Sequence, residues 1–496
     1  MKMKILSALP LFAGLLLGTP AAHAEDKSLG IRDAISLAIE GNVDLKKEKV
    51  AIQIADANLL AAYGRFDLTL TGNTTFSQRT TPSVAVRDIA SGISSRLDLG
   101  IGLLRQLETG GRLSVNFSGN GDQTTNQFSC DNQKCIVYDA GVSLRFDQPL
   151  LRDFGSEIAL SLLRRRRIEM NVAQLNREAR VSTVLRDVAG AYWELAFASR
   201  DLEIRRSAVE LAQKQLEATN AQIQVGRLAP IDRAAVERAI ADRQQEVVNA
   251  EQNLFLRGLV LRRLAGQPLE VNMARYVAAE LPNADPLASD AAAYLSRSLD
   301  HNPQLRSMKA GLELSEIDIL TARNLLKPQL DAFAQIGNRG RSLNFDDALT
   351  QVAGTDNLTW LVGLNFSMPL QNRSARGQND VARATRDRSW LDAGALELDI
   401  RDSVIRFSTQ IDTAAKRLAL ARQAVGFAQQ SLTAEEAKFA AGNVTNNDVL
   451  LRQQELNVAE SQIVRATVDL MLAEIQVQAV TGDLLDRYGV SLMAGQ

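Results

Sequence analysis

Apolar residues recur along this chain with a period of seven over long stretches. Leu202, Val209, Leu216 and Ile223 form one such row, and Ile240, Val247, Leu254 and Leu261 form the next. The same rows return 216 residues later as Leu418, Val425, Leu432 and Phe439, then Leu456, Ile463, Leu470 and Val477. A sustained seven-residue period predicts long, slightly underwound helices packed as coiled coils. Three punctuation marks coincide at that offset without a gap: Gly226 on Gly442, Asp232 on Asp448, and Gly266 on Gly482. The chain therefore reads as an internal duplication. No proline interrupts Ser156 to Val225, so a continuous helix of about 70 residues would run about 105 Å. Arg376 to Ala441 reads the same way. Shorter helices are expected at 31–63 and 230–265, and two of them laid end to end match one long helix.

Between the helices the period drops to two. Tyr138, Ala140, Val142, Leu144 and Phe146 alternate with Asp139, Gly141, Ser143, Arg145 and Asp147, and Trp360, Val362, Leu364, Phe366 and Met368 repeat the pattern. Leu113, Val115 and Phe117, then Leu97, Leu99, Ile101 and Leu103, then Phe66, Leu68 and Leu70 extend it. Strands of about 9–11 residues with one apolar and one polar face can cross an outer membrane as part of a barrel. A soluble amphipathic sheet is the other reading of the same pattern. Asn42-Val43-Asp44-Leu45 matches Asn302-Pro303-Gln304-Leu305, and Phe146-Asp147-Gln148-Pro149-Leu150 matches Phe366-Ser367-Met368-Pro369-Leu370. The shift between those two offsets makes the first copy about 40 residues longer, all of it between 63 and 149. The expected organisation is a first repeat at 25–266 with a β region at 66–148, a linker at 267–289, a second repeat at 290–482 with a β region at 328–368, and a tail at 483–496.

Lys2 and Lys4, an apolar run from Ile5 to Leu17, and Ala22-His23-Ala24 have the layout of a cleavable export signal over 1–24. The run is too short to span a bilayer, and no later stretch reaches the ~20 apolar residues of a membrane helix. A membrane-embedded part must then be a β-barrel. Glu25 rather than Cys follows the expected cut, so no lipid anchor is indicated there. The chain has 496 residues, 46% hydrophobic, with 56 basic against 58 acidic and only two His. That balance gives no reason to expect nucleic acid. A mature chain with His301 as its one imidazole argues against a catalytic triad or a His-rich zinc site, and no cluster of acid, base and nucleophile emerges. No nucleotide-binding loop, cofactor motif or methionine relay is visible, so an enzyme is the least favoured class. Cys130 and Cys135 sit in a polar stretch, where an oxidising compartment favours a local disulfide over a two-thiol metal site.

The two helix turns carry the most pointed chemistry. Gly226 and Gly442 suit the left-handed residue that ends a helix. Thr445 can cap the helix that follows, with Asp448 at the acidic position of a capping box. In the first copy Ala229 and Asp232 stand there, with Pro230 at the first helical position. Asp232 and Asp448 then read, from the residues alone, as first-turn carboxylates that favour the helix dipole. Arg164 to Arg167 read mainly as a solvated face, with contact to lipid phosphates as the alternative, and His301 as a surface residue.

Ala441 to Leu450, with Gly442, Thr445, Asp448, Val449 and Leu450 in place, resembles the Gly-x-x-Thr-x-x-Asp-Val-Leu signature of the TolC-like outer-membrane efflux proteins. The resemblance covers nearly the whole mature chain. It implies an α+β membrane protein: a homotrimer whose strands close one outer-membrane β-barrel and whose coiled-coil helices form a periplasmic tunnel. It implies a belt around that tunnel from 266–290, with Pro268, Pro282 and Pro286, and from the C-terminal tail. It places Asp232 and Asp448 at the periplasmic entrance, where six carboxylates in a trimer would favour cations, and Phe439 where an aromatic narrows the opening. Leu451 stands where some exporters carry a second acid. The turns at Gly226, Pro230, Gly442 and Thr445 would meet a periplasmic adaptor, and an inner-membrane transporter would supply energy. The implied function is the passive exit duct of a tripartite efflux pump or type I secretion machine. A coiled-coil scaffold anchored in the outer membrane without an open pore is the alternative. The chain departs from the family in its first insert. Two strands per copy are usual, yet 66–78, 94–106, 111–120 and 138–148 offer four, with Glu108-Thr109-Gly110-Gly111 as a tight turn. The extra hairpin either joins the barrel or folds outside it.

Overall fold

The computed structural model describes residues 26–81, 92–125, 134–270, 273–280 and 290–490. The expected export signal, Cys130 and the end of the tail lie outside these residues. Cys135 is disulfide-bonded.

Strand β1 (Lys27–Leu29) leads into helices α1 (Ile31–Gly41) and α2 (Val43–Tyr63). Four strands follow, β2 (Thr69–Thr81), β3 (Gly92–Gln106), β4 (Arg112–Thr125) and β5 (Lys134–Pro149). Then come α3 (Ser156–Ala159), α4 (Ser161–Gln224), α5 (Asp232–Leu264) and the short β6 (Tyr276–Ala278). The second copy repeats the plan with α6 (Ala291–His301), α7 (Pro303–Leu325), β7 (Gln329–Ser342), α8 (Phe345–Ala353), β8 (Leu358–Ser367), α9 (Arg373–Ala440) and α10 (Asn446–Thr481), closed by α11 (Leu484–Arg487). With 64 and 68 residues, α4 and α9 span about 96 and 102 Å.

The structure redraws several expected boundaries. The first strand, expected from Phe66, begins at Thr69, because Gly64–Phe66 close α2 with a short 3-10 turn. The helix expected from Ser156 is broken at Leu160, where the Ser161 hydroxyl donates to the Ile158 carbonyl at 2.7 Å and competes with the helical ladder. The helix expected at 230–265 begins at Asp232, and Pro230 sits in the turn before it. The helix at 31–63 is two helices meeting at Asn42. The β region at 328–368 contains a helix, α8, whose last carbonyls accept from the Asn338 amide.

Asn42 explains how two short helices run beside one long one. Its Oδ1 accepts from the Asp44 and Leu45 amides and starts α2, while its Nδ2 donates to the Leu264 carbonyl at the end of α5. Asn302 does the same in the second copy, accepting from the Leu305 amide and donating to the Val480 carbonyl. Each asparagine thus caps one helix and satisfies the end of the helix that returns to meet it. In this way α2 and α5 both lie along α4, and α7 and α10 along α9.

The main apolar core sits at this waist. Leu185, Val188, Tyr192 and Leu195 of α4 pack with Leu470 and Ile475 of α10, under β1, which pairs in parallel with β6. Burial pushes the Tyr192 phenol up to about 12, and its oxygen accepts from the Glu280 amide at 3.3 Å.

At the far end six strands form one antiparallel sheet in the order β2-β3-β4-β5-β7-β8. The register keeps one face apolar throughout: Leu103 opposes Val115, which opposes Leu144, which opposes Ile336, which opposes Trp360. The other face carries Asn73, Asp98, Asn116, Ser143 and Asn365. This polar face is concave, with a groove of about 760 Å³ lined by Asn73, Arg96, Asn116 and Arg339 among others. No described helix is long and apolar enough to cross a membrane.

Candidate functional site: the helix tips

Both tips end their descending helix alike. Gly226 and Gly442 have φ of +74° and +81°, the left-handed region in which a Cβ is strained. The Arg227 amide returns to the Gln222 carbonyl and the Asn443 amide to the Lys438 carbonyl, both at about 3.0 Å, which is the six-to-one bond of a Schellman close.

The ascending helices begin on the two acids. One oxygen of Asp448 accepts from the Thr445 backbone N–H at 2.9 Å and from the Thr445 hydroxyl at 2.7 Å, within a capping box. The Thr445 hydroxyl and then its amide hold the Asp448 carboxyl below its ordinary value. Asp232 accepts from the Ala229 amide at 3.0 Å. Both carboxylates are partly exposed, so each caps its helix and still presents charge at a tip. Gly226, Pro230, Gly442 and Thr445 are all exposed on the same turns. Phe439 is only 6% exposed and packs with Leu432, Val449 and Leu456 in a small core inside the tip.

The sequence pattern missed a buried polar lattice just behind the tips. Asn446, at the start of α10, accepts on Oδ1 from Gln215 Nε2 at 2.9 Å and from Thr219 Oγ1 at 2.8 Å, both on α4. Further from the tip, Arg243 of α5 donates to the Ala208 carbonyl at 2.9 Å and to Gln453 Oε1 of α10 at 3.0 Å. All five side chains are buried. Desolvation holds the Arg243 guanidinium below its ordinary value, with Glu246 acting against it. These bonds join the tip of the first repeat to that of the second. One signal was available, since Val236, Arg243 and Ala250 are buried seven residues apart: the arginine interrupts an otherwise apolar row. Gln215 and Thr219 carry no such mark.

Two other expectations fall elsewhere. Arg165 pairs with Glu169 and Asp318, Arg166 with Glu169, and Arg167 donates to the Tyr63 hydroxyl. That stretch is therefore tied into the helix junction more than a solvated face would be. His301 is exposed, as a surface residue should be.

The comparisons with known proteins agree with this geometry. The family model described as outer membrane efflux protein matches residues 34–267 and again 294–483. The chain is 24% identical over 318 residues to the outer membrane protein TolC of Vibrio cholerae, covering 62% of this chain and 69% of that one. It is 22% identical over 312 residues to the alkaline protease secretion protein AprF of Pseudomonas aeruginosa, covering 62% and 63%. Among solved structures, the outer membrane protein VceC of Vibrio cholerae superposes with a TM-score of 0.64 at 16% identity, over 91% of this chain and 96% of that one.

Proposed function

This chain belongs to the outer membrane efflux protein family, and on that footing we propose that three copies close into one duct leading from the periplasm through the outer membrane. It is an outer-membrane efflux channel of the kind used by tripartite pumps and secretion systems, with its helical part in the periplasm. The observation that carries the trimer is how incomplete one copy is. Its exposed apolar residues fall in a pattern. Leu391, Leu398 and Ile405 on α9, and Val248 and Phe255 on α5, are exposed at seven-residue spacing, as expected of coiled-coil seams awaiting a neighbour. Among the described residues the outer edges of β2 and β8 are unpaired, and open edges are not tolerated in a bilayer.

In this reading transport is passive and the chain has no catalytic role. An inner-membrane transporter supplies the energy, and a periplasmic adaptor engages the turns at Gly226, Pro230, Gly442 and Thr445. Asp232 and Asp448 ring the entrance and favour cations. Phe439, turned into the tip core, contributes by setting where the α9–α10 tip stands. Asp232→Asn with Asp448→Asn separates charge from capping, because the amide oxygen can still accept the backbone N–H. Single-channel recordings should show a reduced cation preference in this double variant. An unchanged preference would remove the gate assignment. Purified protein should also run as a trimer that dissociates only on heating, and migration as a monomer under all conditions would remove the assembly.

A further inference from the structure

The β3–β4 hairpin is built as wall. It lies between β2 and β5 in the sheet, with β3 paired to β2 over 92–104, β3 to β4 over 95–106 and β4 to β5 over 112–125. Its alternation is in phase with its neighbours: Leu99, Ile101 and Leu103 share the apolar face with Phe117 and Val115, while Asp98 and Asn116 share the polar concave face. Both strands, at 15 and 14 residues, exceed the ~9–11 needed to cross a membrane.

The hairpin's turn is also seated at the helix end of the sheet. Gly110, at φ +90°, lies so close to the Asp153 carbonyl that a Cβ would come within 2.4 Å. The Gly155 amide donates to the Thr109 carbonyl, and Gln148 and Thr109 bond side chain to side chain. A hairpin folded outside the wall would need neither this seat nor an apolar outer face continuous with its neighbours.

We propose that each copy contributes six strands to the outer-membrane barrel, the β8 edge of one copy pairing with the β2 edge of the next, so that three copies close an eighteen-stranded pore. The six strands alternate in direction, so β8 and β2 run oppositely and the junction between copies is antiparallel like every other. This rests on the trimeric duct proposed above. With strands spaced about 4.8 Å apart and tilted about 40°, eighteen strands give a backbone diameter of about 36 Å, against about 24 Å for four strands per copy. The outer-membrane segment is then wider than such a barrel. Restriction of cargo size falls to the helix tips, and the pore has room for bulky hydrophilic cargo such as polypeptide.

Electron cryomicroscopy of the full chain in lipid nanodiscs counts the strands directly. Eighteen strands in a trimer is the expected result. A twelve-stranded trimer with β3 and β4 outside the wall would overturn the inference and leave the duct intact, whereas particles with no closed barrel would sink both. Cysteine labelling gives an independent reading in a Cys130→Ser, Cys135→Ser background. Ser118→Cys should label with a membrane-impermeant maleimide in proteoliposomes, and Leu99→Cys should lose that labelling because it faces lipid. Equal labelling of both would overturn the placement of the hairpin.

Discussion

Asp448 illustrates how one carboxylate can hold two positions. It helps start α10 by accepting from Thr445, and the same charge stands partly exposed at the tip. Its folded-state pKa is depressed, so its stabilising contribution is complete above the unfolded carboxyl value near about 4 and is lost as pH falls through the lower folded value. Protection of the Thr445 amide from hydrogen exchange, corrected for the intrinsic pH dependence of exchange, should therefore hold from neutral pH down to about 4 and fall only below it. A loss of that protection between pH 7 and 5 would contradict the cap. This much was legible in advance, because Gly442, Thr445 and Asp448 form a local motif whose geometry depends on nearby residues. The bonds from Gln215 and Thr219 to Asn446 were not legible. They join residues more than 220 positions apart, and no local spacing records such a partner.

At the scale of elements, Asn42 and Asn302 show the same division. Their equivalence in the two copies is visible as matched residues, and a helix start after an asparagine is ordinary. Their second bond, to the end of α5 or α10, depends on how the helices stack. Asn42→Ala should cost about 1–2 kcal/mol from the lost cap and the orphaned Leu264 carbonyl. Asn302→Ala should cost a similar amount by the same bonds. Thermal unfolding of the two variants checks this, and a loss in only one copy would mean that the stacking is not equivalent. The long helices were readable because a seven-residue period holds over many turns, and the strands because a two-residue period did. The helix α8 interrupts a β region over only nine residues, too short for its own period to stand out. The break at Asn42 was hidden because apolar residues continue on both sides.

For the whole molecule, the proposed trimer accounts for two features of one copy: the strand edges left open among the described residues and the bare heptad positions on α5 and α9. Within the copy, the buried lattice at Asn446 and Arg243 fastens the tips of the two repeats together. Removing one partner leaves buried donors unsatisfied, worth about 1–3 kcal/mol, and should let the tips part. Asn446→Ala strands the Gln215 side-chain amide in this way, while the Thr219 hydroxyl keeps the Gln215 carbonyl as its acceptor. The direct test is the conductance of the reconstituted protein in planar bilayers, wild type beside Asn446→Ala. A gated duct predicts discrete single-channel steps from the wild type and larger or longer-lived openings from the variant. Intact trimers that pass no current in either form would contradict it.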